Sequence, residues 1–210
     1  MVPTPSPLVD EKRRLRRTMA AERGRLSPEA RAEAAREVVA RVLALPAFKA
    51  MKDRGQGACL AGFVAIRGEL DPAGALAAAR AAGVGVALPR VDTTWPPRLR
   101  FHRARGQADL ADGPYGLTEP LPSCPEVDVS EIDLMLVPGL AFDAAGGRVG
   151  FGGGFYDDAG RRVREGARPG LMVAVGYDFQ LVERCPTDER DVRVDVVVTD
   201  ARTIVVGAAS

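Results

Sequence analysis

The sequence predicts an α/β domain built on a largely parallel sheet. Two observations lead there. Short apolar runs at Ala58–Ile66, Val84–Leu88, Ile132–Val137, Leu171–Tyr177 and Val194–Thr199 read as strands. Helical patterns separate them, notably an alanine-rich stretch from Asp71-Pro72 to Ala82 and a stretch from Phe155 to about Glu165. Strands alternating with helices pair in parallel, because each helix carries the chain back to the starting edge.

The remaining elements follow in order. Asp10 to about Gly24 is helical, with Leu15 and Met19 four apart on one face. Ser27 is an N-cap, and Pro28 takes the first helical position, where its missing N–H is not needed. Ala34, Val38, Val42 and Leu45 continue that second helix up to Pro46. Leu99–Phe101 and Thr203–Val206 are shorter strand candidates. Asp92–Pro97 and Gly113–Pro125 are proline-rich loops, too short to divide the chain. Residues 10–210 are therefore expected to form one domain, behind a disordered tail over residues 1–9.

Composition excludes several function classes. Of 210 residues, 46% are apolar and 27% charged, which is ordinary for a globular protein. A net charge of +1 gives no reason to expect nucleic acid or an anionic membrane as partner. No apolar run approaches the roughly 18 residues of a membrane span, and Met1–Asp10 lacks the charged and apolar regions of a signal peptide. The three cysteines, Cys59, Cys124 and Cys185, show no CxxC spacing, and an odd count suits a reducing compartment, so a cytoplasmic location is expected. The single histidine, His102, rules out a His-rich metal site and leaves a Ser-His-Asp triad resting on that one residue.

The densest chemical signal is the run Arg148-Val149-Gly150-Phe151-Gly152-Gly153-Gly154-Phe155-Tyr156-Asp157. Its glycines can turn successive backbone N–H groups toward one anion, and the helix beginning just after it adds a positive end. Arg148 at the entrance suits a bidentate phosphate contact. No Gly-Lys-Ser/Thr follows, and the third glycine of a dinucleotide fingerprint is missing, so neither loop class applies. A glycine-rich stretch is often only a flexible turn. Two large aromatics and a carboxylate in the same run argue against that here.

Three weaker features accompany it. Lys12-Arg13-Arg14-Leu15-Arg16-Arg17 on the first helix is a cluster of cations able to reach phosphates, or else a solvated face. Glu69 follows a predicted strand, where open α/β sheets bind ligands, or else is an ordinary loop glutamate. Asp188–Asp191 precedes the strand at Val194 and offers carboxylates to Mg²⁺, or else is a solvated loop.

In order along the chain, these stretches resemble the 5-formyltetrahydrofolate cyclo-ligase family, also called methenyltetrahydrofolate synthetase. The resemblance runs from about Lys12 to Asp200. Lys12-x-x-Leu15-Arg16 is similar to the family's opening motif, and Glu69 with Val84–Pro89 to its folate-side segment. Tyr115-Gly116-Leu117-Thr118-Glu119-Pro120 resembles its Gly-Ile-x-Glu-Pro turn, and Pro138-Gly139-Leu140-Ala141-Phe142-Asp143 its Pro-Gly-x-Ala-Phe-Asp. Arg148–Asp157 resembles its glycine loop, and Gln180, Pro186, Asp188 and Asp191 its C-terminal set. Two positions depart: Asp158 stands where the family usually has Arg, and Arg190 where it usually has His.

The resemblance implies a doubly wound, three-layer α/β domain with a mostly parallel, mixed sheet. It implies a ligase that converts ATP and 5-formyltetrahydrofolate to 5,10-methenyltetrahydrofolate, ADP and phosphate through a phosphorylated formyl group. In this chain Lys12, Arg16 and Arg148 would neutralise phosphate oxygens, with Arg13, Arg14 and Leu15 in the same nucleotide-facing segment. Val149 and Gly150 lead into a cradle of Phe151, Gly152, Gly153, Gly154 and Phe155 that touches both substrates, and Tyr156 closes it. Asp157 and Asp191 would hold Mg²⁺; Val64 and Glu69 would take the pterin. The expected partner is the folate substrate, and the expected state a monomer. The alternative is a non-catalytic nucleotide- or folate-binding module on the same fold.

Overall fold

The structure is a computed structural model and describes residues 7–166 and 168–207. The chain opens with three helices, α1 (Pro7–Gly24), α2 (Pro28–Ala44) and α3 (Pro46–Arg54). Strand β1 (Cys59–Ala61), helix α4 (Ala73–Ala81) and strands β2 (Gly85–Asp92) and β3 (Arg98–Arg103) follow. A small antiparallel pair, β4 (Leu110–Asp112) and β5 (Thr118–Pro120), leads to β6 (Glu126–Val127) and β7 (Leu134–Val137). A hairpin of β8 (Ala141–Phe142) and β9 (Arg148–Val149) precedes α5 (Phe155–Arg164). Strands β10 (Leu171–Gly176), β11 (Val196–Thr199) and β12 (Thr203–Val205) complete the described chain.

The main sheet runs β12-β11-β10-β7-β1-β2-β3-β6. The five strands from β11 to β2 are mutually parallel, and the edge pairings β11-β12, β2-β3 and β3-β6 are antiparallel. The sheet is therefore mostly parallel and mixed, as expected. Both faces are covered, which is why the central strands read as unbroken apolar runs. In β7, Leu134 and Leu136 join the core beneath α2, α3 and α4, while Met135 and Val137 join the core beneath α5. In β10, Val173 and Val175 face the first core, and Met172 and Ala174 the second. Helix α1 stands apart and lays Leu15 and Met19 on a small cluster of Ala141, Val149 and Cys185 at the hairpin.

Several expectations need correction. The run Ala58–Ile66 is a strand only over Cys59–Ala61. Gly62 still donates to the Ala87 carbonyl at 3.0 Å, but Phe63, Val64 and Ile66 then leave the sheet to wall a cavity. Pro46 does not simply end α2: it starts α3, again at a first helical position. Residues 7–9, expected in the tail, belong to α1; residues 1–6 lie outside the described residues. The loop Gly113–Pro125 contains β5, whose Glu119 Oε1 accepts from the Val91 N–H at 2.9 Å. No helix among the described residues is long and apolar enough to cross a membrane.

Strand β1 is flanked by β2, its successor, and by β7, which the chain reaches much later. The connection order reverses between β1 and β7. In open α/β sheets, the crevice at the carboxyl ends of such strands is where ligands bind.

Candidate active site

A cavity of about 880 Å³ opens there. Val64, just past β1, and Pro138, just past β7, line it together with Glu69 and the segment Arg148–Asp157. Lys12 and Arg16 reach in from α1, and Asp188, Arg190 and Asp191 complete the rim.

The hairpin fixes Arg148. Asp143 is buried; its Oδ1 accepts from the N–H groups of Ala145 (2.9 Å) and Gly147 (2.7 Å), and its Oδ2 from that of Cys185 (2.7 Å). Gln180, also buried, donates through Nε2 to the carbonyls of Gly139 and Leu140, both at 2.9 Å, and so anchors the end of β7. Arg148 then enters the cavity 6% exposed, with Nη2 donating to Asp157 Oδ1 at 3.0 Å and its guanidinium 5.8 Å from the Tyr156 ring centroid.

The glycine loop after β9 is exposed from Phe151 to Gly154. Gly152 (φ 108°) and Gly154 (φ 68°) adopt backbone conformations that disfavour a Cβ. Gly154 caps α5, so the loop's backbone sits at the positive end of that helix. Arg16 supports the loop, its Nε donating to the Gly150 carbonyl at 2.7 Å.

Three acids meet these cations. Lys12 Nζ lies 2.5 Å from Asp191 Oδ2 and 3.9 Å from Asp188 Oδ2. Asp191 Oδ2 also accepts the Asp188 N–H at 2.7 Å, and Asp157 Oδ1 the Val192 N–H at 3.0 Å. Asp188 is pulled down to about 2, first by the Arg190 side chain and then by the Arg190 backbone N–H. Among the described residues no three His, Cys, Asp or Glu side chains gather as a metal cage. The bonds just named use Oδ1 of Asp157 and Oδ2 of Asp191, leaving the other oxygen of each. Two such oxygens suit Mg²⁺ arriving with phosphate oxygens and water of its own.

Glu69 is carried on a tight turn, in which Arg67 (φ 48°) and Gly68 (φ 73°) are both left-handed and the Glu69 N–H donates to the Ile66 carbonyl at 2.8 Å. The carboxylate is 8% exposed, and Oε2 accepts the Ile66 N–H at 3.1 Å. Burial raises it above its ordinary value, against the pull of that N–H, Arg23 and Arg67.

A profile of the 5-formyltetrahydrofolate cyclo-ligase family matches residues 9–200. The chain belongs to this family. It is 38% identical over 110 residues to the 5-formyltetrahydrofolate cyclo-ligase of Saccharomyces cerevisiae, a match spanning 49% of this chain and 51% of that relative. Against the Escherichia coli K12 enzyme of the same name it is 30% identical over 180 residues, covering 84% of this chain and 93% of that one. The chain thus spans about half the length of the yeast relative and nearly all of the bacterial one. The Aquifex aeolicus 5,10-methenyltetrahydrofolate synthetase structure superimposes with a TM-score of 0.78 at 32% identity, covering 95% of this chain and 94% of that one.

Most residues expected in the cyclo-ligase site line the one cavity: Lys12, Arg16, Val64, Glu69, Arg148–Asp157 and Asp191. Arg13 and Arg14 do not. They are exposed on α1, and Arg13 pairs with Asp10 at 2.9 Å. Leu15 packs on the hairpin instead. Asp158, one of the two departures, stands outside the cavity near Arg162, at 3.4 Å, while Arg161 supplies a cation at the rim. Arg190, the other, lines the cavity and holds Asp188 at 3.1 Å. The sequence reading missed Arg67 and Tyr115 in the wall. Their positive φ values put both in turns, and only the pairing of Arg67 with Gly68 before Glu69 hinted at it.

Proposed function

We propose that the chain catalyses ATP-dependent cyclisation of 5-formyltetrahydrofolate to 5,10-methenyltetrahydrofolate. The observation that carries this reading is one cavity lined by both a buried carboxylate and a cation-flanked glycine loop. Its volume, about 880 Å³, lies at the upper end for small-molecule sites, room for two substrates together.

A formamide oxygen is a poor leaving group. In the proposed reaction that oxygen attacks the γ-phosphorus and ADP departs, leaving an iminium phosphate. The second folate amine adds to the activated carbon, and phosphate then leaves with the formyl oxygen and the amine's proton. The protein's task is to align the oxygen with the γ-phosphate and to balance spreading negative charge. Arg148 and Lys12 are placed for that balance, each now held by a carboxylate that a bound phosphate would replace. Arg16 keeps the loop Val149–Tyr156 in shape from below, while Arg13 and Arg14 contribute only to the field at the entrance. Asp157 and Asp191 would hold Mg²⁺, which neutralises phosphate charge when bound. Val64 and Glu69 take the pterin, with the carboxylate accepting its N–H donors. The scheme requires no protein nucleophile. In keeping with that, burial pushes the Cys59 and Cys185 thiols up to about 11 and about 12. His102 is buried in β3, its Nδ1 2.8 Å from the Cys124 carbonyl, and serves the fold.

The active unit in this reading is a monomer. Three free, buried cysteines fit a cytoplasmic setting. Mixing the protein with Mg²⁺, ATP and 5-formyltetrahydrofolate should generate the methenyl chromophore, and omission of any one should prevent it. Ligand binding without turnover would favour the binding-module alternative.

A further inference from the structure

Arg23, in the last turn of α1, is 1% exposed. Its Nη2 donates to the Arg67 carbonyl at 2.9 Å, yet Nε and Nη1 have no hydrogen-bond partner among the described residues. A buried guanidinium with unmet donors is unfavourable, so packing alone does not explain it. Arg23 does not line the cavity, but both of its contacts do. The first is the turn that carries Glu69. The second is Phe151 of the glycine loop, whose ring centroid lies 5.7 Å from the Arg23 guanidinium.

Arg67 converges on the same ring, also at 5.7 Å. Phe151 is therefore in contact with one cation from α1 and one from the Glu69 turn, although it is itself 46% exposed. The turn is braced from behind as well. The Tyr177 hydroxyl donates to the Gly68 carbonyl at 3.2 Å, and Arg31 holds the Arg23 carbonyl at the same distance. Arg23 and Tyr177 thus hold adjacent carbonyls of the turn, those of Arg67 and Gly68. Arg23 touches the glycine loop through Phe151.

We infer that Arg23 is a positioning residue that couples the two halves of the cavity through Phe151 and Arg67, so that nucleotide and folate tighten each other's binding. A filled glycine loop holds Phe151 against the two guanidiniums. That fixes the Arg67 carbonyl and with it the turn presenting Glu69. By linkage, folate on Glu69 must favour the nucleotide by the same factor. The inference rests on the assignment above of ATP to the loop and pterin to Glu69.

The test is calorimetric titration of a non-hydrolysable ATP analogue with Mg²⁺, and of 5-formyltetrahydrofolate, each alone and with the other saturating. Wild type, Arg23→Lys and Phe151→Leu are compared. Arg23→Lys keeps the charge but loses the fork. Phe151→Leu, at an exposed site, probes the contact from the other end should the buried variant fold poorly. The expected result is mutual tightening of about fivefold or more in wild type, equal in either order, falling to near one in both variants. A merely structural role for Arg23 would weaken both ligands alike and keep the wild-type coupling factor, and that result would overturn the inference. Independent binding of both ligands to wild type would overturn it too, while sparing the site assignment. Failure of wild type to bind either ligand would instead strike at the assignment, and the coupling would fall with it.

Discussion

Replacing Glu69 by Gln separates substrate recognition from stability. The carboxylate is buried, and its Oε2 is engaged by the Ile66 N–H at 3.1 Å. Glutamine can keep that bond by placing its carbonyl oxygen there, and its NH₂ must then face the pterin's donors. Hydrogen bonds to a charged group are worth about 1.5–3 kcal/mol. At about 1.4 kcal/mol per decade, folate affinity should fall about 10- to 100-fold while ATP affinity stays put. Stability should move the other way. Because burial raises Glu69 in the folded state, the fold binds a proton there more tightly than the unfolded chain does. Its contribution is therefore most favourable below the ordinary carboxylate range and is lost as pH rises through the raised folded value. Above that raised value the ionised carboxylate opposes folding, and there Glu69→Gln should melt at the same temperature or higher. Folate affinity in wild type should fall as pH drops through that raised value, a dependence that Gln abolishes. Paired calorimetric titrations and thermal melts across a pH series check both. Unchanged folate affinity in the variant, or an equal loss for ATP, would refute the reasoning.

Other perturbations test the glycine-loop side of the site. Arg148→Ala leaves Asp157 unpaired at 15% side-chain exposure; it should cost about 3 kcal/mol of stability by thermal melting and about 10²–10³ in kcat. Adding Asp157→Ala should recover part of the stability and none of the rate. Gly152→Val imposes a β-branched side chain at φ 108° and sets its Cβ 3.3 Å from the Arg16 guanidinium. Nucleotide binding measured by calorimetry should be lost, with the melting temperature nearly unchanged because the loop is exposed. Lys12→Met frees Asp191 from its cation. Mn²⁺ binding without nucleotide, followed by electron paramagnetic resonance, should tighten about tenfold, or about 1.4 kcal/mol, while ATP affinity falls. Unaltered Mn²⁺ binding would remove Asp191 from the metal's ligands.

Much of this was legible in the sequence, because the signals were local. Ser27-Pro28 caps α2 as expected, with Ser27 Oγ accepting the Ala30 N–H at 3.2 Å. The run ending in Pro138 became a central strand, and the glycine loop sits at a helix start. The failures came where local patterns carry two meanings. Val64–Ile66 is as apolar as a strand, yet it walls a cavity, and composition does not distinguish the two. Pro46 ends one helix and begins the next. The two-residue strands β8 and β9 are too short to show a period. Arg23 is one arginine among several on α1; only the tertiary structure separates it, buried, from Arg13 and Arg14, exposed. Phe151 looked like part of a backbone cradle, and its ring contacts with Arg23 and Arg67 join segments far apart in the chain.

The central claim is that the formyl oxygen is activated by phosphorylation. It is tested most directly by supplying 5-formyltetrahydrofolate labelled with ¹⁸O in the formyl group, together with Mg²⁺-ATP, and analysing the released phosphate by mass spectrometry. The account predicts one ¹⁸O atom in each phosphate formed, with one methenyl product per ADP. Unlabelled phosphate, or methenyl product formed without ADP, would contradict it.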